Sequence, residues 1–135
     1  MKTIVVIEKG KDGNFSAYSP NLNNHLIVGI GATVEEAKND FIFAYDEMTQ
    51  SYVSKNEEIP QELQDLTFEY SYDLSAFFNK YNWINITQFS RTANFSPSLM
   101  RQYKSGQYIS EKQISKIEMA LHCAAKELLE VKLTV

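Results

Sequence analysis

The sequence has little cysteine, little histidine and no long apolar run, and each shortage excludes a class of protein. Cys123 is the single cysteine in 135 residues, so no disulfide can form within the chain. Its place in the apolar helical segment MALHCAAKEL predicts a buried, inert thiol. His25 and His122 have no neighbours at ligand spacing, so we expect neither a zinc site nor any cofactor.

Membrane and secretory signals are also missing from the sequence. No segment approaches the run of about 20 apolar residues that spans a bilayer. The apolar run in MKTIVVIEKGKDG is too short for a signal peptide, and Glu8 follows it directly. We therefore expect a cytoplasmic protein without a membrane partner.

Basic residues are scarce in the first part of the chain. Residues 1–75 contain five Lys/Arg and thirteen Asp/Glu, a balance of −8, whereas residues 76–135 contain eight and four, a balance of +4. Such asymmetry indicates two modules with different partners, the acidic one suited to a basic protein and the basic one to nucleic acid. The alternative is an unevenly charged surface without such partners.

The fold class predicted is α+β, beginning with a βββαβ layer over residues 1–72. Alternating or β-branched segments, separated by turn signals, predict strands at 3–9, 14–19, 25–31 and 66–72. Between the last two, Thr33 and Glu36 form a capping box, and a helix follows with one apolar face, which carries Ala37, Phe41, Ala44, Tyr45 and Met48. We expect an antiparallel meander, a helix across one face and a returning strand.

Residues 73–135 predict a second, all-α domain. Helical segments follow one another from Asp73, and the last of them opens with a second capping box, Ser110 to Gln113. Its expected inward residues are Ile114, Ile117, Leu121 and Leu128. The closing VKLTV alternates and can form a short strand at a sheet edge or with a dimer partner.

The segment NFSPSLMRQYKSGQ, residues 94–107, predicts a short helix with a clear start and end. Ser96 is a good N-cap, Pro97 fits the first helical position, and Gly106 can end the helix in the left-handed region. Asn94 stands where the tight turn from the preceding helix needs a left-handed residue. The inward residues should be Phe95, Met100 and Tyr103.

The opposite side of this helix suits the major groove of DNA. Two helices joined so tightly predict a helix-turn-helix, in which Arg can bind guanine, Gln can bind adenine and small residues permit close approach. The predicted DNA-binding residues are Arg91, Ser96, Ser98, Leu99, Arg101, Gln102, Lys104 and Lys112; among them Arg91, Lys104 and Lys112 are candidates for phosphate contacts. The alternative is a helical hairpin whose outer face is merely solvated.

Segments of this sequence resemble two known protein families. Residues 74–129, through FSRTANFSPSLMRQYKSGQYISEKQISKIEMAL, resemble the four-helix lambda-repressor-like DNA-binding domains, with Asn94 where members usually have Gly and Ile86 where they often have Gln. VVIEKGKDGNFSAYSPNL and GIGATVEEAKNDFIFAYDEM resemble the HicB antitoxin family. That family's pattern is matched at Gly13, Tyr18, Pro20, Leu22, Gly31, Thr33, Glu36 and Ala37, while Asn24 and His25 replace its usual Gly-Cys.

Together the resemblances imply a helix-turn-helix subtype of HicB, with an incomplete ribonuclease-H-like domain before the DNA-binding domain. They imply that residues 1–72 cover a small basic HicA-like toxin that cleaves mRNA. They also imply that residues 73–135 bind operator DNA as a homodimer or higher homo-oligomer and repress the chain's own operon. A stand-alone helix-turn-helix transcription regulator, with no toxin partner, is the alternative.

An enzyme is the remaining class, and we do not expect one. A ribonuclease-H-like fold would need carboxylates gathered around Mg²⁺. Glu8, Asp12, Glu36 and Asp40 are available, but the capping box engages Glu36, and Glu8 and Asp12 fall at a strand end and a turn.

Overall fold

The computed structural model describes all 135 residues as an α+β fold with a mixed four-stranded sheet and five α-helices. The chain divides into two compact units, Met1–Asn82 and Trp83–Val135. None of the helices combines the length and apolar composition that a membrane span needs.

The first unit contains the whole sheet, in the order β3-β2-β1-β4. Its strands are β1 (Lys2–Lys9), β2 (Phe15–Tyr18), β3 (Val28–Gly31) and β4 (Thr67–Tyr72). The first three pair antiparallel, so the predicted meander is confirmed. The returning strand β4 pairs with β1 in parallel, with Val5 opposite Tyr70.

Helix α1 (Val34–Ser54) packs on one face of this sheet. Thr33 caps it as predicted, since its Oγ1 accepts the Glu36 N–H over 3.2 Å, while the Glu36 carboxylate accepts the N–H of Ala32 over 2.8 Å. The core between helix and sheet is fully buried and contains Val5, Ile7, Ala17, Val34, Ala37 and Phe41. β3 contributes no side chain at Gly29, because a Cβ there would lie 2.2 Å from the backbone N of Phe41.

Helix α2 (Leu74–Lys80) belongs to the first unit, although the sequence predicts it in the second. Asp73, its N-cap, donates its N–H to the carbonyl of Ile7 over 3.0 Å and accepts the N–H of Lys9 over 3.1 Å. Asn79 accepts the N–H of Val34 over 3.1 Å. These bonds fasten α2 to β1 and α1, so the chain divides at 82/83 rather than at the predicted 72/73.

The second unit therefore has three helices rather than the four expected from residues 74–129. They are α3 (Ile86–Thr92), α4 (Pro97–Lys104) and α5 (Glu111–Glu130). Ile117 on α5 is buried, and Ile114 and Leu121 are half-buried, as predicted.

Two predictions for the end of the chain, and one alternative of a third, were wrong. Leu128 is 64% exposed, although it continues the inward stripe of Ile117 and Leu121. Cys123 is exposed rather than buried. Residues 131–135 form no strand within the chain, so they do not extend the sheet, while pairing with a dimer partner stays a prediction. The physical reason is length: α5 has 20 residues and α3 and α4 only seven and eight, so α5 extends beyond the helices that bury its first turns.

Candidate DNA-binding surface

Helices α3 and α4 are joined by a tight turn at Ala93–Ser96. Asn94 has φ of 62°, the left-handed conformation predicted for it. Its N–H bonds to the carbonyl of Arg91 over 3.1 Å, and the N–H of Phe95 bonds to the carbonyl of Ser90 over 2.8 Å. Both of these bonds join backbone groups, and they close the turn between α3 and α4.

Helix α4 starts and stops as the sequence predicts. Ser96 is its N-cap, with Oγ accepting the N–H of Leu99 over 3.1 Å, and Pro97 is its first residue. Gly106, with φ of 108°, follows its last turn. The Ser96 hydroxyl therefore holds the start of the helix in place.

The buried side of α4 fixes the helix to its neighbours. Phe95, Met100 and Tyr103 are all buried, as predicted. The rings of Phe95 and Tyr103 meet edge to face with centroids 6.2 Å apart. The Tyr103 hydroxyl donates to the side-chain oxygen of Gln113 on α5. Gln113 therefore ties α5 to α4, while Ser110 caps α5 by accepting the Gln113 N–H over 3.3 Å.

The exposed side of α4 carries Ser98, Arg101 and Gln102. Arg101 and Gln102 follow Ser98 by three and four positions, so all three lie on one side of the helix. Leu99 is only half-buried and lies to one side, since it is four residues before the buried Tyr103. A row of one small residue, one guanidinium and one amide is a chemistry that can read base edges in a major groove.

Arg101 is held by the neighbouring helix. Its Nη2 donates to Oγ1 of Thr87 on α3 over 2.8 Å, and no other hydrogen bond engages its guanidinium. Sequence reasoning missed Thr87, because 14 positions separate the two residues and only the crossing of α3 and α4 brings them together. The remaining N–H groups of Arg101 stay available to a ligand.

The predicted phosphate-binding residues lie around this face. Arg91 is in the last turn of α3, Lys104 is the last residue of α4, and Lys112 is in the first turn of α5; all three are exposed. The unit as a whole, residues 83–135, has seven Lys/Arg and four Asp/Glu, a balance of +3. This charge favours a polyanion, although Glu111 lies beside Lys112.

The carboxylates considered for a magnesium site are engaged separately in the first unit. Asp12 accepts the N–H of Asn14 over 3.0 Å and Asp40 that of Ile30 over 2.8 Å. Glu8 lies beside Tyr18, whose pKa is raised by burial and by the Glu8 charge. Glu36 bonds within the helix cap. No three of the chain's His, Cys, Asp and Glu side chains form a group that could hold a metal ion.

A polar cluster around His25 was also missed from the sequence. Its Nδ1 lies 2.5 Å from Oε2 of Glu62 and its Nε2 lies 3.0 Å from the Tyr52 hydroxyl. The Glu62 carboxylate also accepts the backbone N–H groups of Asn23 and Asn24. The hydrogen bond from His25, followed by these backbone bonds, lowers the pKa of Glu62. Through these hydrogen bonds, Glu62 in the segment before β4 holds His25, Asn23 and Asn24 of the β2–β3 connection in place.

One face of the sheet is not covered by α1. Ile4, Val28 and Ile30 are exposed there. In the strand register Ile30 lies opposite Ser16, and Ile4 lies opposite Glu69. The first unit, residues 1–82, has six Lys/Arg and thirteen Asp/Glu, a balance of −7. An apolar strip within an acidic surface is suited to a basic protein partner.

No protein-family model matches the sequence, and neither does any curated protein or solved structure.

Proposed function

We propose that the chain is the antitoxin of a type II toxin-antitoxin system of the HicB kind, and that it binds operator DNA through α3 and α4. The observation that carries this proposal is the exposed row Ser98, Arg101 and Gln102 on a helix set by a tight turn. The Thr87 contact to Arg101 supports it, because a preorganised guanidinium loses less freedom when it binds a guanine.

We assign the toxin to the first unit on grounds of charge and shape. Its balance of −7 favours a basic protein, and the exposed residues Ile4, Val28 and Ile30 offer an apolar strip for docking. A βββαβ order with a parallel β4 is compatible with an incomplete ribonuclease-H-like layer. Since the candidate carboxylates are dispersed, we propose a binding role for this layer rather than a catalytic one.

The DNA-binding half of the proposal is tested by gel shift with the DNA upstream of the chain's own gene. We expect saturable binding that survives competition by unrelated DNA. Equal affinity for both DNAs, or no shift at low salt, would contradict the assignment.

The toxin-binding half is tested by co-expression with the adjacent gene, followed by affinity capture. We expect a small basic protein to co-purify, and Ile30→Lys in the apolar strip to abolish capture. Gln50→Lys, an equal charge change at an exposed position of α1, should retain it. Operator binding without any captured toxin would favour the second candidate, a stand-alone transcription regulator.

A further inference from the structure

The end of the second unit exposes more apolar surface than any other part of it. The residues concerned are Leu128, Leu129, Val131, Leu133 and Val135, which we call the C-terminal apolar segment. Leu129 is 86% exposed and Leu133 is 91% exposed. Single exposed apolar residues are ordinary on protein surfaces, but five within eight positions indicate a surface that another molecule covers.

The backbone of this segment also lacks partners. The N–H of Val131 bonds to the carbonyl of Leu128 over 3.2 Å, and no hydrogen bond is formed by residues 132–135. Val131 already has extended dihedrals, with φ of −66° and ψ of 131°. An extended segment with free N–H and C=O groups and a period of two is a template for strand pairing.

We propose that residues 131–135 pair with the same residues of a second copy of the chain, as an antiparallel two-stranded ribbon about a twofold axis at Leu133. Leu133 then lies opposite Leu133 of the other copy, and Val131 lies opposite its Val135. All six apolar side chains share one face of the ribbon. Side chains alternate between the two faces of a strand. If one strand slipped by one residue against the other, apolar residues would therefore lie opposite Lys132 and Thr134.

Two other registers also pair apolar residues with each other, with the twofold axis at Lys132 or at Thr134, and they are less favourable. With the axis at Leu133, Lys132 lies opposite Thr134 of the other copy. An axis at Lys132 would place two lysines directly opposite each other, which is destabilising. An axis at Thr134 would pair only two of the three apolar residues within the segment. The segment thus pairs apolar with apolar residues and keeps its lysines apart, as a self-complementary twofold interface requires.

A five-residue ribbon alone is not stable in water, so its apolar face needs cover. Leu128 and Leu129, in the last turn of α5, supply it from both copies. Burying five Val and Leu side chains removes roughly 300–600 Å² per copy from water. With the ribbon backbone added, this approaches the roughly 800 Å² per partner of a standard interface. A second copy is therefore a sufficient occupant.

This inference specifies the dimer that the proposed operator binding assumes, but its test needs no DNA. The oligomeric state of the full chain is measured by light scattering across a concentration series, for the native chain, Leu133→Asp and Thr134→Asp. We expect a native dimer. Leu133→Asp should weaken it by about a hundredfold or more, because two apolar side chains are lost and two carboxylates meet on the axis. Thr134→Asp, facing Lys132, should remain dimeric.

A native monomer at all concentrations would overturn the inference, and so would a dimer that tolerates Leu133→Asp. Loss of the dimer in both variants would overturn the assignment of the apolar and polar faces. This experiment does not measure operator affinity. The dimer proposal can therefore fail while the proposed DNA binding holds, and the proposed DNA binding can fail while the dimer proposal holds.

The register is tested separately by cross-linking in a Cys123→Ser background, since the exposed native thiol would otherwise compete. Leu133→Cys places two thiols across the axis, at the Cα separation of about 4.5–5.5 Å found between paired antiparallel residues, which a disulfide can bridge. Lys132→Cys lies diagonally from its copy, at about 7–8 Å. We expect oxidation to give covalent dimers with the first variant and few with the second; equal yields would contradict the register.

Discussion

Arg101 on α4 donates from Nη2 to Oγ1 of Thr87 on α3 over 2.8 Å. The bond joins the two helices of the candidate DNA-binding surface on their exposed side, away from the buried residues between them. It restrains a long side chain that would otherwise sample many rotamers. Thr87 thus has a positioning role toward Arg101, and removing its hydroxyl separates that role from packing.

We expect Thr87→Val to reduce the preference for operator over unrelated DNA by roughly three- to tenfold, the value of about one hydrogen bond. The shape of the side chain is kept, so the thermal midpoint should change little. Binding to both DNAs is measured by fluorescence anisotropy. Thr92→Val is the matched control, because Thr92 is exposed on the same helix and its Oγ1 donates only to the Gln88 carbonyl over 3.2 Å. An unchanged preference in Thr87→Val would show that the bond has no part in recognition.

Substitutions of the candidate base-reading residues and of the candidate phosphate-binding residues should have different effects on DNA binding. Arg101→Ala and Gln102→Ala are expected to lose about 1–3 kcal/mol of operator binding and to relax sequence preference. Arg91→Ala and Lys112→Ala should weaken all sequences alike and lower the salt slope by about one each. Affinity is followed by gel shift between low and moderate salt. Lys11→Ala, an exposed lysine of the first unit, is the control; if the four variants match it, the helix-turn-helix assignment fails.

Gly29 should be intolerant of any side chain. A Cβ at this position would lie 2.2 Å from the backbone N of Phe41 and 2.4 Å from the carbonyl oxygen of Ala37, so β3 and α1 would have to separate. We expect Gly29→Ala to destabilise the first unit by about 1–3 kcal/mol or more. Urea unfolding monitored by circular dichroism measures this. Ile30→Ala, at an exposed neighbouring position, removes atoms without a clash and should cost less; the opposite order would refute the close approach.

Glu62 should make the first unit less stable at acidic pH. The hydrogen bond from His25, and then those from Asn23 and Asn24, hold its folded pKa below the ordinary value of 4.5. The stabilisation is therefore complete above pH 4.5 and is lost as the pH falls through the lowered value. Glu62→Gln should be less stable than the native chain at neutral pH and converge with it in acid.

Unfolding midpoints at a series of pH values measure this convergence. Glu58→Gln, an exposed carboxylate of the same connection, is the control and should run parallel to the native chain at every pH. A Glu62→Gln curve that also runs parallel would show that the clamp does not depend on charge.

Local chemistry made much of this structure predictable. The β-branched and alternating segments predicted the four strands, and the short link between α3 and α4 predicted a left-handed conformation at Asn94. The spacing of Phe95, Met100 and Tyr103 predicted the buried side of α4. In each case the determining residues lie within a few positions of one another, where sequence periodicity carries the information.

What could not be predicted depends on distance along the chain. Periodicity indicated that Leu128 shares a face with Ile117, but not that α3 and α4 end too soon to bury it. The pairing of Thr87 with Arg101 and the clamp of Glu62 on His25 arise from crossings between separate elements. The placement of α2 rests on bonds from Asp73 and Asn79 to residues far earlier in the sequence.

The attachment of α2 to the sheet determines how the chain can be cut. A fragment ending at Tyr72 would lose Ala76, which is fully buried in the first unit, and would leave the groups bonded to Asp73 and Asn79 open to water. The complementary fragment from Asp73 would carry an apolar helix away from the surface that buries it. Cleavage between Asn82 and Trp83 leaves both sets of bonds intact, so a protease that opens the chain there should leave the core of each unit whole.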